Sequence, residues 1–240
     1  MSSVIVTGAS RGIGLAIARR LAASGYTAIA LARTQGPALT AAIEASDGRL
    51  AYVPADLSDI DAIPDLARDL RARFGPIWGL VNNAGVGVEG LLSNTHNSQI
   101  EAAIRLNVTA PIVMTKHLVR GMLTTGGGRI INMSSIIGST GYSGLSVYGA
   151  TKAAMIGFTK SLAREVGRLG VTVNAIAPGF IDTEMTASLG EEGREQVKRR
   201  SALRRLAEVE DVAAMTDFLM GDGGKNITGA VLTIDAGNTA

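Results

Sequence analysis

Short apolar runs rich in Val, Ile, Leu and Ala recur along this chain: one around Val4-Ile5-Val6, one over 27–32, and others over 50–54, 77–82, 129–134, 171–177 and 230–234. They are continuous rather than alternating, as strands covered on both faces of a parallel sheet are. After the first run, Leu15, Ala16, Ile17, Ala18, Leu21 and Ala22 return at helical spacing, and 58–73, 97–122, 145–169 and 208–220 read as further helices. Strand alternating with helix predicts an α/β fold, a doubly wound parallel sheet with helices on both faces and right-handed crossovers. The least periodic stretches, 86–96, 136–144 and 182–205, follow predicted strand ends, where open α/β sheets bind ligands.

The first strand breaks into Thr7-Gly8-Ala9-Ser10-Arg11-Gly12-Ile13-Gly14, and a helix follows at once. Glycines there permit positive φ and close approach of backbone amides to a pyrophosphate, while the helix N-terminus adds partial positive charge. The spacing Gly-x-x-x-Gly-x-Gly differs from the commonest dinucleotide fingerprint. By itself it also fits a strand-to-helix turn that binds nothing.

Composition narrows the class. With 240 residues, 46% of them hydrophobic, and no linker, one large domain over 1–240 is expected. The absence of cysteine excludes disulfides, thiolate catalysis and Cys-ligated zinc. His96 and His117 stand outside any metal-binding pattern, and we expect no metal, with His96 at a helix start and His117 on a helix surface. A net charge of +2 is not a nucleic-acid footprint. No apolar run is long enough to span a bilayer, and the first strand starts by Val4, so a soluble cytoplasmic protein is expected, without nucleic-acid or membrane partners.

Candidate chemistry centres on Tyr148 and Lys152, with Ser135 thirteen positions before the tyrosine. Residues four apart share a helix face, so an ammonium beside the phenol would favour its ionised form and fit it for proton transfer. Such a pair also meets by chance on many helices.

Taken together, the glycine turn, Asn82-Asn83-Ala84-Gly85, Ser135, the Tyr148/Lys152 pair and Pro178-Gly179 resemble the short-chain dehydrogenase/reductase family over essentially the whole chain. The wording around 161–166 and 177–186 is most similar to bacterial 3-oxoacyl-carrier-protein reductases. The resemblance implies a Rossmann-type domain, a nicotinamide cofactor, and a catalytic set of Asn107, Ser135, Tyr148 and Lys152. In it Tyr148 donates the proton in reduction, Lys152 lowers its pKa and binds the nicotinamide ribose, and Asn107 holds a water linking Lys152 to solvent. Ser134 competes with Ser135, which the family interval favours.

Cofactor residues implied in the same way are Thr7, Gly8, Ser10, Arg11, Gly12, Ile13 and Gly14 in the turn, with Asp56 and Leu57 near the adenine. Asn83, Ala84, Gly85, Tyr148, Lys152, Pro178, Gly179, Ile181 and Thr183 complete the set. Asp56 reads equally as a helix cap. An acidic residue after the second strand would repel a 2′-phosphate; here Ala32 and Arg33 follow, and with Arg11 they favour NADP(H).

Three function classes stand: an NADPH-dependent reductase of 3-oxoacyl thioesters, an alcohol, polyol or sugar dehydrogenase, and a cofactor-binding protein without turnover. Apolar lid residues Ile137, Phe180, Met185 and Leu189 favour the first. An acyl carrier protein is a candidate partner, yet Gly126 and Leu169 stand where carrier-dependent relatives place arginines. Arg120, Arg129, Arg168 or the basic run 194–205 are the candidate substitutes. The resemblance also implies a homotetramer, with Met155, Phe158, Leu162 and Val166 as candidate interface residues. Trp78 departs from the aspartate that many relatives carry there.

Overall fold

The computed structural model describes residues 2–181 and 190–240. Seven parallel strands form one sheet: β1 (Ser3–Thr7), β2 (Thr27–Ala32), β3 (Leu50–Pro54), β4 (Ile77–Asn82), β5 (Gly128–Met133), β6 (Val171–Pro178) and β7 (Val231–Ile234). Their order is β3-β2-β1-β4-β5-β6-β7, so the winding reverses between β1 and β4. Adjacent residues of one strand serve opposite faces. Val4 and Val6 pack with α1 (Gly12–Ala23), α2 (Pro37–Glu44) and α8 (Val209–Met220), while Ile5 packs with α3 (Ile63–Phe74), α5 (Ala110–Thr125) and α6 (Ser146–Val166). Leu15, Leu21, Leu39 and Met220 fill the first layer, and Leu70, Met114, Leu118 and Leu162 the second. Each fully buried large side chain contributes about 1.5–3 kcal/mol of transfer free energy, which explains why the strands read as unbroken apolar runs.

The expected doubly wound α/β architecture is observed, with four departures. The short helix α2 has no counterpart in the hydrophobic pattern, because it buries only Leu39. Segment 97–122 is not one helix. It is α4 (Asn97–Ile104), a π-helical turn over Arg105–Thr109, and α5, so an extra residue is accommodated without breaking the apolar face. Within the expected loop 182–205 lies α7 (Gly190–Arg200), whose one buried residue, Val197, leaves no stripe to detect. Finally, Met155, Leu162 and Val166 are buried and Phe158 packs half-buried against the core beneath α6, so these side chains face inward in the single chain. The outward positions of that helix include Ala150, Ala153, Ala154 and Gly157 in its first half and Lys160, Ser161, Arg164 and Glu165 in its second.

Candidate active site

The site begins at the switch point. After β1 the chain turns through Gly8 (φ +66°), and a Cβ there would come within 2.8 Å of Ala84 Cα. A Cβ on Gly14 would meet Gly8 O at 2.3 Å, so only glycine lets this turn nest against the residues after β4. The Thr7 hydroxyl accepts from the Asn83 and Ala84 amides, both at 2.9 Å, and Asn83 Nδ2 donates to the carbonyls of Thr7 and Gly8 at 2.8 and 3.2 Å. These bonds staple the ends of β1 and β4 together. Thr7, 2% exposed, thus braces the turn from beneath rather than offering its hydroxyl to a ligand, and Leu57 belongs to the core.

Helix α1 starts at Gly12 with no side-chain cap and no acidic residue in its first turn, so its amides and dipole suit an anion. Ser10 is half-buried in the turn and Arg11 is exposed at the N-cap. Arg33 is exposed one residue beyond β2, and Ala32 is buried. Asp56 accepts from the Ser58 amide at 2.9 Å and its hydroxyl at 2.7 Å. Those two bonds, and after them the Arg33 charge, hold its carboxyl below the ordinary range. The cap of the following 3-10 turn is Asp59, not Asp56.

A cleft of about 350 Å³ opens beside this turn, lined by Ile13, Asn83, Gly85, Ser135, Tyr148 and Lys152, with Pro178, Gly179 and Ile181 across from them. Ser135 follows β5 and caps a 3-10 turn (Ile136–Gly138), its Oγ accepting from the Ile137 amide at 3.3 Å. It therefore has the structural role of a cap and also hydrogen-bonds with Tyr148. Ser134 is committed elsewhere: its Oγ donates to the Lys152 carbonyl at 2.9 Å.

The electrostatics differ from expectation. Burial raises the Tyr148 pKa, and the Ser135 hydrogen bond only partly offsets this. Burial brings Lys152 down to about 8, and its Nζ donates to Met133 O at 2.9 Å while lying 5.6 Å from the Tyr148 ring centre. The net shift of the phenol is thus upward, with desolvation the dominant cause, while the Lys152 donor is directed to the strand end. The Asn107 side-chain amide accepts from Val86 N and donates to Val86 O, both at 2.8 Å, and donates to Thr151 Oγ1 at 3.1 Å, so the side chain clamps a loop.

Several residues of the site escaped sequence reasoning. Tyr142, Leu145 and Glu89 line the cleft, and the Tyr142 and Phe180 rings pair at 5.7 Å. Gly90 N donates to Gly144 O at 2.9 Å, joining two loops that look independent in sequence. Beneath the cleft Asn82 Nδ2 donates to Thr115 Oγ1 and to Asn132 Oδ1, and Asn132 Nδ2 to Thr159 Oγ1. Asparagines inside two apolar runs, paired in register, were the available signal. Thr183, Met185 and Leu189 lie outside the described residues.

The remaining candidates fall away from the cleft lining. His96 is the N-cap of α4, and His117 is half-buried on α5, its carbonyl accepting from Arg71 at 2.7 Å. Arg129 is 7% exposed with its guanidinium 4.9 Å from the Trp78 ring centre, so the tryptophan covers this arginine and removes it from any docking surface. Among the described residues no helix is long and apolar enough to cross a membrane.

Comparison with known proteins agrees with this geometry. A family model described as short chain dehydrogenase matches residues 2–194. The 3-oxoacyl-[acyl-carrier-protein] reductase of Vibrio harveyi is 39% identical over 234 residues, covering 97% of this chain and 95% of that protein. A blue fluorescent protein from a metagenomic library, solved with NADPH, superposes with a TM-score of 0.93 at 36% identity, covering 100% of this chain and 98% of its own. The gluconate 5-dehydrogenase of Burkholderia cenocepacia J2315, solved with NADP and tartrate, gives 0.94 at 27% identity, covering 99% and 95%. On these matches and on its fold, the chain belongs to the short-chain dehydrogenase/reductase family of oxidoreductases.

Proposed function

We propose that this protein is an NADP(H)-dependent reductase that transfers a hydride to a ketone, with a 3-oxoacyl thioester as substrate. The observation that carries the reading is the meeting of Ser135, Tyr148 and Lys152 in one cleft beside the glycine turn. The cofactor fits the residues present: a tight turn, an uncapped helix N-terminus, and Arg11 and Arg33 in place of an acidic residue. NADPH and NADP in the two structural neighbours agree. Gly8, Ser10, Arg11, Gly12, Ile13 and Gly14 hold the pyrophosphate, Arg33 the 2′-phosphate and Asp56 the adenosine. Asn83, Ala84, Gly85, Pro178, Gly179 and Ile181 line the nicotinamide end.

When bound, the reduced cofactor supplies the hydride that the carbonyl carbon receives. As negative charge builds on the carbonyl oxygen, the Ser135 and Tyr148 hydroxyls donate to it, and Tyr148 then gives up its proton to complete the alcohol. Its raised pKa keeps the phenol protonated at neutral pH, the form a donor needs. Lys152 holds the ribose and offsets the phenolate charge left behind, and Asn107 fixes the loop that walls the cleft.

The similarity to 3-oxoacyl-carrier-protein reductases supports a thioester substrate. Carrier dependence is modest in this reading, since Gly126 and Leu169 carry no charge and Arg129 is buried; Arg120, Arg168 and the exposed Arg199, Arg200, Arg204 and Arg205 remain. The test presents one 3-oxoacyl chain on carrier protein, on coenzyme A and on a small thiol, following NADPH oxidation across a salt series. Turnover of all three within about tenfold supports it. A large, salt-sensitive advantage for the carrier-bound form overturns the modest dependence, and no turnover of any overturns the substrate. The second reading, a polyol or sugar dehydrogenase, is favoured by the fold match to the gluconate enzyme. We further infer a single-domain, cytoplasmic homotetramer from the family resemblance, with sedimentation of the purified protein as the check on assembly.

A further inference from the structure

Arg105 stands in the π-helical turn after α4 and has two tasks there. Its carbonyl accepts from the Ala110 amide, closing the wide turn, and its exposed guanidinium donates through Nε to Ser58 O at 2.6 Å. Ser58 lies in the turn after β3, where its amide and hydroxyl donate to Asp56 at 2.9 and 2.7 Å and the Ala55 amide donates to Ala32 O at 3.0 Å. Arg105 therefore grips the backbone that presents Asp56 beside the end of β2. Two positions further along the same turn, Asn107 binds Val86 N and O at 2.8 Å and donates to Thr151 Oγ1 at 3.1 Å, and Thr151 Oγ1 donates to Tyr148 O at 2.8 Å. A Cβ on Gly85, in the cleft lining, would stand 3.1 Å from Asn107 Oδ1 and 3.6 Å from Lys152 Nζ, so this amide lies close to the reacting groups. One five-residue turn thus touches both ends of the site, and the mechanism leaves Arg105 unused.

We propose that Arg105 is a positioning residue that couples the adenosine end of the cofactor site to its catalytic end. This deepens the NADP(H) reductase reading and rests on its placement of the adenosine at Asp56. The bond to Ser58 O restrains the π-helical turn only as firmly as the Asp56 turn is itself held. An adenosine phosphate seated on that turn removes part of its freedom, so the anchor stiffens, and with it Asn107, the Val86 loop and the first turn of α6. Because the Arg105 bond is exposed to water, the coupling falls at the low end of the usual range, about fivefold. Binding energy from the half of the cofactor that does not react is thereby directed to the order of the reacting end.

The probe is adenosine 2′,5′-bisphosphate, the half of NADP that carries no nicotinamide and permits no turnover. Amide hydrogen exchange is followed at Val86, whose N–H is held by Asn107 Oδ1, in the unaltered protein, Arg105→Ala and Arg105→Lys, each with and without saturating probe. Calorimetry of probe binding reports that each variant is folded and saturated. We expect the probe to slow exchange at Val86 about fivefold in the unaltered protein, to leave it unchanged in Arg105→Ala, and to slow it in part in Arg105→Lys, whose ammonium still reaches toward Ser58 O. A purely structural Arg105 would instead give Arg105→Ala faster exchange by the same factor with and without probe, leaving the slowing intact, and that result overturns the coupling. Bound probe without slowing in the unaltered protein overturns it too, while leaving the cofactor reading in place. If the probe binds none of the three proteins, the placement of the adenosine itself falls, and this inference with it.

Discussion

The ammonium of Lys152 donates to the carbonyl oxygen of Met133 at 2.9 Å, tying the second turn of α6 to the end of β5. This bond aims the lysine across the floor of the cleft, with its ammonium over the Tyr148 ring at 5.6 Å from the ring centre. The lysine is thereby a structural tie as well as a catalytic candidate. Its removal should have two separable consequences.

Replacing Tyr148 by Phe keeps the ring and removes the proton. Turnover should drop by about 10²–10⁴-fold, the usual contribution of general acid catalysis, while the NADPH dissociation constant stays within about twofold. Steady-state rates beside fluorescence titration check it; full activity in this variant would remove Tyr148 from the mechanism.

The raised pKa of Tyr148 sets the direction of the pH dependence. Reduction requires the protonated phenol, the form populated below its pKa, so its rate should stay level from about pH 6 to 9. Alcohol oxidation requires the phenolate and should climb over the same range. Opposite slopes measured with one ketone–alcohol pair support the assignment, and a parallel rise in both directions contradicts it.

Lys152 also makes stability depend on pH. Its folded pKa, about 8, lies below the unfolded value, so between about pH 8 and 10.5 the unfolded chain binds more protons and stability rises with pH. As pH falls through 8 that contribution is lost, an effect on the order of 3 kcal/mol at most. Melting temperatures across this window should slope upward in the unaltered protein, and less so in Lys152→Met. That variant should also lose both turnover and cofactor affinity.

Cofactor preference should depend on the end of β2. Arg33→Ala should reduce the NADPH-over-NADH preference by about tenfold, the worth of one charge-assisted phosphate contact. Ala32→Asp should tend to reverse it. Equal efficiency with both cofactors in the unaltered protein would dismiss the role of Arg33.

Because the Asn107 amide makes three hydrogen bonds while 2% exposed, Asn107→Leu leaves Val86 N and O without partners. We expect a loss of about 1–3 kcal/mol in stability, read by urea denaturation, together with lower kcat. Asn107→Asp, which retains the acceptor for Val86 N, should recover part of it.

The sequence carried the architecture because parallel strands buried on both faces cannot hide: Val4 to Val6 and 129–134 read as strands from their apolar side chains alone. It also brought Ser135, Tyr148 and Lys152 to one cleft, since each belongs to a motif whose order along the chain mirrors the strand ends. What it could not carry lies in contacts between loops. Glu89 and Tyr142 show no spacing that marks them, because their position follows from a single bond between Gly90 and Gly144. Helix α7 was invisible for another reason: eleven residues that bury only Val197 have no hydrophobic period. The destination of the Lys152 ammonium was equally hidden, since a backbone carbonyl has no letter in a sequence.

The π-helical turn at Arg105–Thr109 has a consequence for chain length. A helix residue turns about 100° around its axis, so deleting one residue here would restore regular winding and rotate Asn107 away from Val86. Substitutions at Arg105 or Thr109 leave that count untouched. A single-codon deletion or insertion in this stretch therefore misplaces Asn107 even when every side chain is kept, a change that an ordinary surface loop absorbs.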